Sequence, residues 1–205
     1  MYLSLTLRKD EESINSGRNT KDVKGSLIPG ILIPLILISG TIISIAVNGS
    51  WSFVDNSIRE LGRLGTKSAV IFNSSLIIAG IIGILSLITF YFRVTGVERL
   101  SISFLNSAFI FLSLIGIFPI GSELHIPICL GFVFSAFLSM SLLGIASAKK
   151  NRFLPTFTLT ILFFCTISMI LGFISVIKVA VVEIAFTSGF FIWYCFIAGS
   201  SYLLE

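Results

Sequence analysis

The chain's single histidine, His125, follows Glu123 in the stretch GIFPIGSELHIPICLGF, residues 116–132, with Pro119 and Pro127 on either side. An imidazole beside a carboxylate could serve general acid–base catalysis or hold a metal. Asp55, Ser57, Arg59, Glu60, Asn73 and Glu183 are the polar residues that the topology derived below places at the same end of the molecule. With Glu123 and His125 they make up the candidate outer polar site.

A hydrolytic metal centre needs about three protein ligands, commonly His with Asp or Glu, around an open position. One histidine and no HExxH or CxxC pattern do not supply such a set, so neither a metal nor another cofactor is expected. A serine hydrolase would need a nucleophile and an acid arranged about His125. Ser122 is near in sequence, and Asp55 or Glu60 could orient the ring, but no nucleophile-elbow pattern is present. The plainer reading is helix capping. A carboxylate near a helix start satisfies free amides and the dipole, and Pro127 suits an early helical position.

The elements that must position these residues follow from the distribution of charge. Of 205 residues, 55% are hydrophobic and 12% charged, about half the charged fraction of a soluble domain. Residues 25–54, 68–92, 100–122, 126–148, 153–177 and 184–204 contain no Asp, Glu, Lys, Arg or His. Each run reaches the roughly 20 residues that a helix needs to cross about 30 Å of hydrocarbon. The runs are apolar on every face, which excludes the alternation of barrel strands. The expected fold is therefore all-α: a polytopic membrane protein, a compact bundle of six transmembrane helices over residues 25–205. Residues 1–24 form a polar cytoplasmic tail with the composition of a disordered segment. Within the 48–67 loop, DNSIRELG reads as a short interfacial helix on the outer surface, capped by Asp55 or Asn56 and ended by Gly62.

Six spans put the tail, the 93–99 and 148–152 loops and the C-terminus on one side. That side carries ten Lys and Arg residues, while Arg59, Arg63, Lys67 and Lys178 stand on the other. The positive-inside rule then places both termini in the cytoplasm and sends Asp55, Glu60, Glu123 and Glu183 outside. Asn73, about two turns inside span two, should bond across to a neighbouring helix. Small residues four apart, at Ala79/Gly83, Gly131/Ser135/Ser139, Ser168/Gly172 and Ala185/Gly189, predict close helix contacts. Cys129, Cys165 and Cys195 lie inside predicted spans and read as small apolar residues.

The order of these landmarks resembles the archaeal and bacterial membrane family called domain of unknown function 998. In that family an outer-loop serine stands shortly before Leu-Gly, here SIRELG from Ser57 to Gly62, and Phe-Asn opens span two, here Phe72-Asn73. A Gly-x-Phe-Pro and a nearby His follow, here Gly116, Phe118, Pro119 and His125. An acidic residue before the last span corresponds to Glu183, although the Arg that usually follows is Ile184 here. A similar layout occurs in the damage-regulated autophagy modulator group. The resemblance implies a six-helix membrane fold and a meeting of Ser57, Gly62, Asn73, Pro119 and His125 at one outer site; it supplies no reaction.

These readings point to a multi-pass protein of the cell membrane without an evident catalytic motif. The expected role is a lipid- or partner-interacting membrane component with its specific site on the outer face. Its partners would be membrane lipids and a protein within the membrane; a net charge of +4 is too small to suggest nucleic acid. No predicted span carries an ionisable group at its centre, which disfavours ion-coupled transport. Two alternatives stay open: a membrane-embedded lipid hydrolase, with or without a metal, using His125 and nearby carboxylates, and a carrier of a neutral or lipid-like molecule.

Overall fold

A computed structural model describes residues 28–148, 152–174 and 178–199; the polar tail lies outside these residues. Six long helices stand where the charge-free runs require them: α1 (Ile28–Val47), α2 (Ala69–Arg93), α3 (Gly96–Ile117), α4 (His125–Ser147), α5 (Phe153–Phe173) and α6 (Val179–Gly199). They have 20 to 25 residues, which at about 1.5 Å per residue suffices to cross the hydrocarbon. No strand occurs among the described residues. The chain is a multi-pass, six-helix bundle of membrane-spanning type.

Consecutive helices are antiparallel neighbours from α2 through α6. Helix α2 packs closely on α3. Gly80 lies against Ser113 and Phe109, Gly83 against the Phe109 ring, and Gly116 against the backbone of Asn73. On the other side of α3, Ser101 Oγ donates to the Ser139 carbonyl at 2.8 Å. Of the predicted small-residue contacts, Gly83, Gly131, Ser139, Gly172 and Gly189 each pack against a neighbouring helix. Ala185 instead is exposed.

The last helix in sequence is the centre of the bundle. Phe190 meets Phe109 of α3 and Phe132 of α4. Tyr194 and Ser86 of α2 share a hydrogen bond of 2.9 Å, and Trp193 Nε1 donates to Thr158 Oγ1 of α5 at 3.0 Å. Phe190 and Trp193 are wholly buried.

Helix α1 closes the bundle between α2 and α6. Gly40 fits against Ser75, and a Cβ at Gly30 would lie 2.6 Å from Ala198 Cβ. Pro34 has no N–H to offer the carbonyl four residues earlier. That carbonyl, on Gly30, accepts instead from Cys195 Sγ of α6 at 2.9 Å. Helices α1 and α6 are thus fastened at the end carrying Gly30 and Ala198, and toward the end carrying residues 48–68 both line a cavity.

Candidate functional site

The 48–68 segment folds over the second end of the bundle. Its short helix is a five-residue 3-10 turn, Ile58–Gly62, and its details differ from the expected interfacial helix. Leu61 and Gly62 are buried, so the turn is driven into the bundle by Leu61 and does not float along the surface. Ser57 stands at its start and no side chain caps it. Asn56 is occupied elsewhere, accepting from Ser52 N at 2.9 Å and donating to Glu60 Oε2 at 3.0 Å. Trp51 Nε1 donates to the Ser57 carbonyl at 2.9 Å, tying the approach of the segment to the turn.

The amides that open a helical turn have no partner within it. Ile58 N–H, the first of them, donates to Glu183 Oε2 at 2.7 Å. The other oxygen of Glu183 faces Arg59 Nε at 2.5 Å. Glu183 sits in the second turn of α6 and is one-fifth exposed, so it belongs to the span and not to the preceding turn. One carboxylate from the central helix therefore holds both the backbone and a side chain of the roof.

At its other end the roof is held by Asn73. Asn73 Nδ2 donates to the Gly62 carbonyl at 2.9 Å. The partner is the 3-10 turn and not a neighbouring membrane helix, because this carbonyl at the end of the turn lacks an intra-turn acceptor role. Residue 62 must be small: a Cβ there would run into Asn73 Oδ1 and come within 3.0 Å of the Phe72 ring. Leu61 O accepts from Ser68 Oγ at 2.8 Å, completing the attachment to the start of α2.

His125 enters from a third direction. The turn from α3 into α4 passes through Gly121 at φ +102°, a conformation that favours glycine. It returns the chain so that His125 Nδ1 lies 2.8 Å from the Phe118 carbonyl. A carbonyl only accepts, so Nδ1 carries the proton and Nε2 of the neutral ring presents its lone pair. That lone pair faces Cys129 Sγ, one helical turn on, at 3.5 Å. His125 is nearly fully buried. The capping reading does not hold for α4: its start is Leu124, without a side-chain cap bond, while Ser122 Oγ and O accept from the amides of Leu124 and His125. Glu123 is exposed, and the imidazole points inward to the Phe118 carbonyl instead of to the helix amides.

The Cys129 thiol in turn faces the Arg59 side chain. Of the eight candidate residues, Arg59 and Glu183 form a direct pair, and His125 reaches them through Cys129. Asn73 secures the same roof from behind. Glu60 bonds Asn56 and stands 3.9 Å from Arg63 on the outside of the turn, Ser57 contributes its carbonyl to Trp51, and Asp55 and Glu123 are exposed. Among the described residues no three His, Cys, Asp or Glu side chains converge as a metal site would require.

Beneath the roof lies a cavity of about 840 Å³. Leu37, Ile42 and Ile45 of α1 face Phe186, Thr187 and Phe191 of α6 across it, with Phe132 and Val133 of α4 on a further wall. Among the described residues, Arg59 and Glu183 are its only charged lining residues. Cys129, whose place inside a span suggests only a small apolar residue, also lines the cavity. The four-residue spacing to His125, which stacks two side chains on one helix face, is the signal that could have singled it out.

A family model described as protein of unknown function, DUF998, matches residues 31–199. No curated protein matches the chain, and neither does any solved structure.

Proposed function

The chain belongs to the DUF998 family, and we propose that it is a membrane component that binds one lipid-like amphiphile in the cavity under the 48–68 segment. The carrying observation is the cavity itself: about 840 Å³, walled by aliphatic and aromatic side chains, with Arg59 and Glu183 as its charged groups among the described residues. Ligand pockets typically enclose about 300–1,000 Å³, with apolar walls and a few polar groups that fix orientation. A hydrocarbon chain satisfies the walls, and a polar headgroup satisfies the Arg59–Glu183 end. Entry between α1 and α6, which both line the cavity, gives a route from the bilayer, so the ligand need not pass through water. The distribution of basic residues supports the roofed end facing outward, with both termini in the cytoplasm.

The test is lipid extraction from protein purified in mild detergent, with quantitative mass spectrometry of what is released. Wild type should carry stoichiometric lipid. Thr187→Trp, which places an indole in the cavity from a half-buried position on α6, should carry little. Absence of lipid from wild type, or equal lipid in a folded Thr187→Trp protein, would refute the reading.

A further inference from the structure

The cavity contains a second arrangement that lipid binding alone does not use. Cys129 lines it, and His125 Nε2 lies 3.5 Å from the thiol sulfur. The opposite ring nitrogen is held by the Phe118 carbonyl at 2.8 Å, which leaves Nε2 as the proton acceptor. A nucleophile, a base within reach and a third group that orients the base are the parts of an activated nucleophile. The Arg59 guanidinium, itself paired with Glu183, faces the same sulfur.

The other thiols provide the contrast. Cys195 also lines the cavity, but its thiol donates to the Gly30 carbonyl at 2.9 Å, which cannot take up its proton. Cys165 is buried against the Phe186 carbonyl, away from any imidazole.

We propose that Cys129 is an acyl acceptor, taking a long-chain acyl group from an acyl thioester whose chain occupies the cavity, with His125 as the base; this rests on the cavity being the lipid site. In the step, Cys129 Sγ attacks the thioester carbonyl while its proton passes to His125 Nε2. A new Sγ–C bond forms and the donor's C–S bond breaks. The proton then leaves with the departing thiolate, and nothing is oxidised or reduced. The acyl chain stays where the apolar walls already hold it.

The experiment incubates the purified full chain with palmitoyl-coenzyme A and locates the added mass by peptide mass spectrometry. Palmitate, removable by neutral hydroxylamine, should appear on Cys129 at a rate at least about tenfold above Cys195, and His125→Gln should slow Cys129 labelling about 100-fold, as loss of a general base does. The ratio of Cys129 to Cys195 in wild type decides the matter even if His125→Gln does not fold. Equal labelling of the two cysteines, an unlabelled Cys129, or an undiminished rate in folded His125→Gln would overturn the proposal. An unlabelled Cys129 in protein that retains copurified lipid overturns acyl transfer alone. Absence of copurified lipid removes the reading on which it rests.

Discussion

Glu183→Gln tests the attachment of the roof to the central helix. The substitution keeps the size of the side chain and an acceptor for Ile58 N–H, and removes the charge that faces Arg59. Exposed ion pairs contribute about 0–1 kcal/mol, whereas breaking a buried one costs about 3–5. With side chains 34% and 19% exposed, this pair falls between those limits, at about 2 kcal/mol. The Ile58 bond, at 2.7 Å, loses its charged acceptor, and with it roughly half its strength, another ~1 kcal/mol. The total of about 3 kcal/mol corresponds to a fall in Tm of about 6–12 °C for a chain of this length. Thermal unfolding in detergent or nanodiscs, followed by tryptophan fluorescence, would read it, since Trp51 is bonded to the base of the roof. Arg59→Met should cost about 2 kcal/mol, and the double variant should fall short of the summed losses by a similar amount. Additivity within about 0.5 kcal/mol would show that the two residues do not hold each other, and would refute the attachment.

Gly62→Ala should destabilise by about 1–3 kcal/mol through overpacking on Asn73 and Phe72; adding Asn73→Ala should recover part of the loss, which the same unfolding assay measures. Thr158→Val should cost about 1–3 kcal/mol by leaving the buried Trp193 indole N–H without an acceptor, while Thr158→Ser, which keeps the hydroxyl, should cost less. In a chain with its native cysteines replaced by serine, cysteines placed at 56 and 122 should react with an impermeant thiol reagent outside intact cells, and one at 150 should not. The reverse labelling would invert the proposed orientation.

Six helices and their lengths were legible in the sequence, because hydrocarbon cannot satisfy backbone polar groups and so imposes long charge-free helical runs. The concentration of polar residues at one end was legible for the same reason: charge is excluded from the spans and collects in the breaks. The arrangement inside the bundle was not. Runs that are apolar on every face carry no periodicity to mark an inner side, so nothing in the sequence set α6 at the centre or left Ala185 exposed while Gly189 packs on Cys165. Asn73 was recognised as needing a partner, but that partner is a backbone carbonyl, which no side-chain pattern announces. Arg59 and Glu183 stand at distant points of the chain, and His125 reaches them through Cys129, a residue whose type suggested only packing. Such partnerships depend on how closely helices cross and on where a folded loop places its free amides. Those distances are set by the packing of the whole bundle, and only the tertiary structure decides them.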